Sequence, residues 1–317
     1  MKKQMTNWFN DMRKLFIRRN KMKILYIAEH GQQNNDDEGS IYKSLTLLGH
    51  KVDRFQLNYF KTDKPILDQV SKDYDFALFH KLPDADYVEY VCNKWKGICW
   101  YFDAIGKGFD GNDKYANLVK DYFHIGFFTD GDFVNSQNKN NIKLLRQGLD
   151  LVDDNNIFVS NVAHRLGRES IPFIFIGTIG HGGYLEREQY LKELQNDFLG
   201  WRPHNKYEFF KEHLSSVCRQ TRIMLAMPPA TDHYWSNRVY LLGGRSAFVL
   251  HPYSSELQKQ FGDSMAFYKD YEELKEKIDY FLVNHEERQS MSQKAHSVII
   301  NEHSYLNRCY DLIKEIQ

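Results

Sequence analysis

The sequence predicts an α/β protein of two doubly wound domains facing each other across a cleft. Short runs of β-branched and aromatic residues alternate with helical stretches from Lys23 onward, the pattern of a parallel sheet with helices on both faces. A polar, aperiodic segment over 149–170, holding Asp150, Asp153, Asp154, Asn155 and Asn156, divides that alternation into two series. At 317 residues the chain also exceeds the common single-domain range, so two domains of roughly 150 residues each are expected.

In the first series, strands are expected at 23–28, 51–56, 76–80, 97–103, 125–129 and 142–145, with helices between them, for instance at 40–48 and 85–95. Leu48-Gly49-His50 closes the first helix with a glycine where a left-handed cap is needed. In the second series, strands are expected at 172–176, near 198–201, and at 222–227, 247–251 and 265–268. Helices cover 185–195, 207–218, 235–242, 255–261, 271–284 and 286–301. Open sheets of this kind bind ligands at the carboxyl ends of their strands.

Composition excludes several classes. The 42 Lys and Arg balance 42 Asp and Glu, so overall charge gives no reason to wrap nucleic acid. Cys92, Cys99, Cys218 and Cys309 are scattered without metal-ligand spacing, which fits a reducing, cytoplasmic setting. No apolar run approaches the ~20 residues that span a bilayer. Residues 1–22 are expected to form a leading helix, because Trp8, Phe9, Met12, Leu15 and Phe16 share one helical face. That helix is strongly basic, with Asp11 its one acid. It either packs on its own domain or makes a peripheral contact with an anionic membrane.

The chemistry concentrates in "HYWSNRVYLLGGRSAFVLHPYSSELQ", residues 233–258. A short helix over 235–242, a turn at Gly243 and Gly244, and a buried strand over 247–251 would set Ser236, Asn237 and Arg238 in the helix's first turn at the cleft. Free N–H groups at a helix start, together with a planar guanidinium, match a diphosphate. Tyr234, Trp235, Trp201 and Trp100 offer stacking surfaces, although aromatic residues at such spacings more often belong to the core.

This stretch, with "FGDSMAFYKDYEELKEKIDYFLVNHEERQSMSQKA" and "INEHSYLNRCYDLI", resembles the carboxyl-terminal domain of GT-B glycosyltransferases of the spore-maturation-protein-like group. Upstream, "FIFIGTIGHGGYLEREQYLKEL", "KILYIAEHG" and "GICWYFDAIG" are similar to the same group. The resemblance implies two Rossmann-like domains: an acceptor domain over 23–160, a nucleotide-sugar domain over 170–303 and a closing helix over 304–317. It implies sugar transfer from a nucleotide-sugar donor to a hydroxyl acceptor (a glycan, a lipid-linked sugar or a modified nucleobase), with no cofactor and no obligatory metal.

Carried over, Arg238 meets the diphosphate, the Gly177-Thr178 loop with Arg187 lies near the donor, and Trp201 and Arg202 border the base. Leu241 departs from the group, which has a ribose-binding Glu there, and Ser246 stands where a glycine is usual. Leu cannot accept the ribose hydrogen bonds. Asp103 and His80, each ending a strand of the first domain, are the candidates for general base. His30 and Gly31, where the first strand turns, are expected to line the cleft.

Competing motifs are weaker. Gly106-x-Gly108-x-x-Gly111 with Asp130 downstream satisfies the dinucleotide fingerprint, but Asp103, Ala104 and Ile105 separate it from its strand. Asp130-Gly-Asp132 and Asp84-Ala-Asp86 match a D-x-D metal pair, a spacing common by chance. A dehydrogenase is thus a minor alternative. A nucleotide-binding or scaffold protein with a degraded site, suggested by Leu241, is the principal one.

Overall fold

The computed structural model describes residues 21–30, 37–79, 85–105, 121–137, 139–150, 169–179, 184–205 and 212–317. The chain divides into two compact units, Met1–Val159 with Ser304–Gln317, and Ser160–His303. The leading segment, His80, Gly31, the glycine fingerprint and most of the expected boundary fall outside the described residues.

In the first unit, β1 (Lys23–Ala28), β2 (Lys51–Gln56), β3 (Phe76–Phe79), β4 (Gly97–Tyr101), β5 (Ile125–Phe128) and β6 (Ile142–Leu144) form one parallel sheet in the order β2-β1-β3-β4-β5-β6. Between the strands run α1 (Asp37–Leu47), α2 (Phe60–Gln69), α3 (Ala85–Lys94) and α4 (Gly131–Ser136). Strand residues alternate between two cores, as a period of two requires. Ile24, Tyr26, Phe76, Leu78, Ile98 and Trp100 face Ile41 and Leu45 of α1. Leu25, Ile27, Ala77, Phe79 and Cys99 face Leu67 of α2 and Tyr87, Val88 and Val91 of α3. Gly49 takes φ +92 after α1, the left-handed cap expected there.

The second unit orders its parallel strands β11-β10-β9-β7-β8, with β7 (Ile171–Gly177), β8 (His204–Asn205), β9 (Thr221–Leu225), β10 (Val249–Pro252) and β11 (Ala266–Tyr268). Its helices are α5 (Leu185–Asp197), α6 (Glu212–Gln220), α7 (Arg238–Gly243), α8 (Ser255–Phe261), α9 (Tyr271–Val283) and α10 (His285–Glu302). Phe173, Phe175, Ile223, Leu225, Phe248 and Leu250 pack on α5 and α9. Ile174, Ile176, Met224 and Val249 pack on α6 and α7.

Three local expectations are corrected. No strand forms at 198–201: Gly200 turns the chain at φ +80, and Trp201 stacks on Phe173 with ring centroids 5.4 Å apart. The edge strand begins at His204 instead. The short helix starts at Arg238 rather than Trp235, because Thr231 N–H donates to Tyr234 O at 2.8 Å and holds 231–234 as a separate turn. The turn after that helix runs from its C-cap Gly244 to Ser246, and its left-handed residue is Ser246 at φ +56, with Gly244 in the right-handed helical region.

The last helix, α11 (Tyr305–Ile316), belongs to the first unit. Its Leu306, Cys309, Leu312, Ile313 and Ile316 complete the core beneath α1. Gly148 admits the crossing, since a Cβ there would stand 2.7 Å from the backbone of Ser304 and Tyr305.

Candidate active site

The second unit gathers its chemistry at the carboxyl ends of β7, β9 and β10. Strand β7 ends at Gly177, where a Cβ would stand 2.7 Å from Arg238 Nη2, so glycine is what lets the guanidinium lie against the strand end. Arg238 opens α7 and hangs its guanidinium carbon 5.3 Å from the Phe175 ring centroid. Its Nη1 donates to Ser236 Oγ at 3.4 Å.

A second guanidinium converges on the same ring. Arg187, 2% exposed on α5, lies 5.7 Å from Phe175 and 3.8 Å over Tyr184. Its Nε donates to Pro228 O at 2.6 Å and its Nη1 to Thr178 O at 3.3 Å, tying the loops after β9 and β7 together. Among the described residues neither arginine has a carboxylate at ion-pair distance, the nearby Glu188 charge acting on Arg187 from farther off, in contrast to buried Arg288, which pairs with Glu169. Burial, then the charge of Arg187, pulls the Arg238 pKa down to about 10. Burial also lowers that of Arg187. Arg187 is buried and Arg238 half-buried, and two cations that repel each other in such a place favour an anion that joins them.

His251, on β10, was not singled out by the sequence reading. Burial pulls its pKa down to about 4, with Arg238 adding to the shift. Its Nδ1–H donates to Pro252 O at 2.6 Å, so the neutral ring presents Nε2 as an acceptor. Its place at the carboxyl end of a strand was the available signal. Tyr268 also supports the site, donating to Ala226 O at 2.9 Å.

The other expected residues are placed as follows. Ser236 and Gly177 adjoin Arg238, Thr178 accepts from Arg187, and Tyr234 acts electrostatically on both guanidinium groups. Asn237 caps α7 through its carbonyl, which accepts from Tyr240 and Leu241 at 3.0 Å, and not through its side chain. Trp201 lies beside Phe173, four residues before Gly177, and donates from Nε1 to Phe173 O at 3.2 Å. Exposed Arg202 follows it, and neither is brought to the arginine pair. Leu241 sits one turn beyond Arg238 on α7.

In the first unit Asp103 is exposed just past β4, between buried Phe102 and Ala104. His30 is half-buried, its Nε2 bonded to Tyr26 O at 3.1 Å. Asp130 is fully buried and both carboxylate oxygens accept backbone bonds, from Phe133 N at 3.1 Å and Ile105 N at 2.9 Å. It is the N-cap of α4, which accounts for the acid of the D-x-D pair and of the dinucleotide fingerprint. Asp86 is exposed in the first turn of α3. Among the described residues no three His, Cys, Asp or Glu side chains cluster as metal ligands.

Comparison with known proteins agrees with this architecture. Residues 157–314 match the glycosyl transferase-like family model. The fold is similar to a glycosyltransferase from Rickettsia africae ESF-5, at 14% identity and a TM-score of 0.60, covering 94% of this chain and 98% of that one. It is also similar to TarM, at 10% identity and a TM-score of 0.51, covering 78% of this chain and 55% of the other. No curated protein matches the chain in sequence. With twin parallel α/β units and that match, the chain belongs, through residues 157–314, to the glycosyl transferase-like family on a GT-B fold.

Proposed function

We propose that the protein transfers a sugar from a nucleotide-sugar donor to a hydroxyl acceptor without a metal ion. The observation that supports this most is the pair Arg187 and Arg238, buried and half-buried against the Phe175 ring near the end of β7, with no carboxylate at ion-pair distance among the described residues. A diphosphate supplies the missing negative charge. Arg238 contacts it through the space Gly177 leaves open, while Arg187, anchored to Pro228 and Thr178, fixes the loops on either side. As the sugar leaves, charge grows on the diphosphate, and two preorganised guanidinium groups stabilise it in the way a divalent cation does elsewhere.

Tyr234, Ser236 and Asn237 complete the donor pocket in this reading, with Trp201 and Arg202 toward the base. The acceptor is a glycan, a lipid-linked sugar or a modified nucleobase held by the first unit, where His30 and Gly31 line its site. If the anomeric centre inverts, Asp103 or His80 takes the acceptor proton. Exposure leaves the Asp103 carboxylate open to an incoming hydroxyl. The setting is cytoplasmic, with residues 1–22 as a peripheral membrane contact.

Release of nucleoside diphosphate from a panel of sugar nucleotides tests the proposal. Activity is expected to persist in EDTA and to fall about 100- to 1000-fold in Arg238→Ala, the scale of losing one group that stabilises developing charge. Leu241 favours a second reading, a nucleotide-binding protein without turnover, because it removes the usual ribose acceptor. Thermal stabilisation by a sugar nucleotide with no diphosphate release would select it.

A further inference from the structure

In an all-parallel sheet every strand begins at the same edge, so residues preceding the strands form one row. In the first unit that row is basic. Across the sheet in spatial order it carries Lys51 opening β2, Lys21 and Lys23 at β1, Lys72 before β3, Lys94 and Lys96 before β4, His124 before β5 and Lys139 before β6. Lys21, Lys51 and Lys72 are exposed and form no ion pair among the described residues. The acids on the same edge are fewer than the lysines: Asp73, which accepts from Ser71 Oγ at 2.7 Å, Asp75, which accepts from Lys23 N at 2.6 Å, and Asp121, 3.7 Å from Lys139.

Two of the lysines have a structural task. Lys94 donates to the carbonyls of Leu67 and Asp68 at the end of α2, and Lys96 to Ile316 O at 3.4 Å at the end of α11. Complementing helix carboxyl ends explains these two and leaves Lys21, Lys51 and Lys72 unexplained. Lys72, Lys94, Lys96 and His124, with Tyr74 and Tyr122, line a groove of about 700 Å³, and Tyr122 is 40% exposed. Nearby cations act on each other: Lys96 adds to the burial that lowers the His124 pKa, and Lys72 to that of Lys94.

We infer that this edge is a docking face for a bilayer containing anionic lipid. Six strands at ~4.8 Å spacing make a row roughly 25 Å long. Its cations are Lys without an Arg, point charges that attract a charged plane rather than forks that grip single phosphates. The exposed Tyr122 suits the headgroup level.

The inference does not depend on the glycosyl-transfer reading, and the two tests separate. The full chain is mixed with vesicles of phosphatidylcholine alone and of phosphatidylcholine with 30% phosphatidylglycerol, then sedimented. Binding is expected only to the anionic vesicles, and salt should abolish it. The triple variant Lys21→Gln, Lys51→Gln, Lys72→Gln is expected to bind them on the order of 100-fold more weakly. Its melting temperature and its release of diphosphate from a sugar nucleotide in solution should match the parent's. Equal binding to both vesicle types, undiminished binding by the triple variant, or binding to single-stranded RNA with none to vesicles would each overturn the inference.

Discussion

At Ser246 the backbone adopts φ +56, a conformation in which a side chain crowds its own backbone. The resemblance marks this position as usually glycine, and the dihedral supplies the reason. Ser246→Gly is expected to raise stability by up to about 1 kcal/mol in chemical denaturation, provided relief of strain exceeds the entropy glycine adds to the unfolded chain. His251 gives a pH dependence. Its folded pKa of about 4 lies below the ordinary 6.5, so between those values the unfolded chain binds a proton that the folded chain refuses. Its contribution therefore falls as the pH drops from about 6.5 to 4, by about 3 kcal/mol at most. The melting temperature should decline over that window, and less steeply in His251→Gln.

At the scale of the element, helix ends decide what several conspicuous residues do. Asp130 satisfied two sequence motifs, yet its carboxylate is consumed by the N–H of Phe133 in α4 and by the N–H of Ile105. Asp130→Ala removes a cap and orphans a second buried donor, so a loss of about 2 to 4 kcal/mol is expected in denaturant melts. Asp130→Asn, which keeps an acceptor for the cap, should lose about half as much. The pattern marks β1, β3, β4 and β5 as short apolar runs between polar turns, whereas β2, KVDRFQ, alternates and lies at the sheet edge. The same rule failed at Phe198 to Trp201, where aromatic residues cover Phe173 from a turn and only look like a strand. Helix α2 was not picked out either, since "FKTDKPILDQ" buries only Asp63 and Leu67 and contains Pro65.

At the scale of the whole molecule, the chain's last helix supports its first unit. Leu312, fully buried against the α1 side of the sheet, is expected to cost 2 to 5 kcal/mol as Leu312→Ala, measured by thermal or chemical denaturation. A loss under about 1 kcal/mol would mean that α11 contributes little to that core. Sequence alone determined the alternating strands and helices, the division into two α/β series and Arg238 at a helix start, because each is written in local periodicity and capping residues. Only tertiary structure decided that Arg187 and Arg238 share the Phe175 ring, that His251 stands beside them, and that lysines scattered from 21 to 139 form one row. The physical reason is that a parallel sheet sets side by side strand ends that lie tens of residues apart in the chain, and no local pattern records which ends become neighbours.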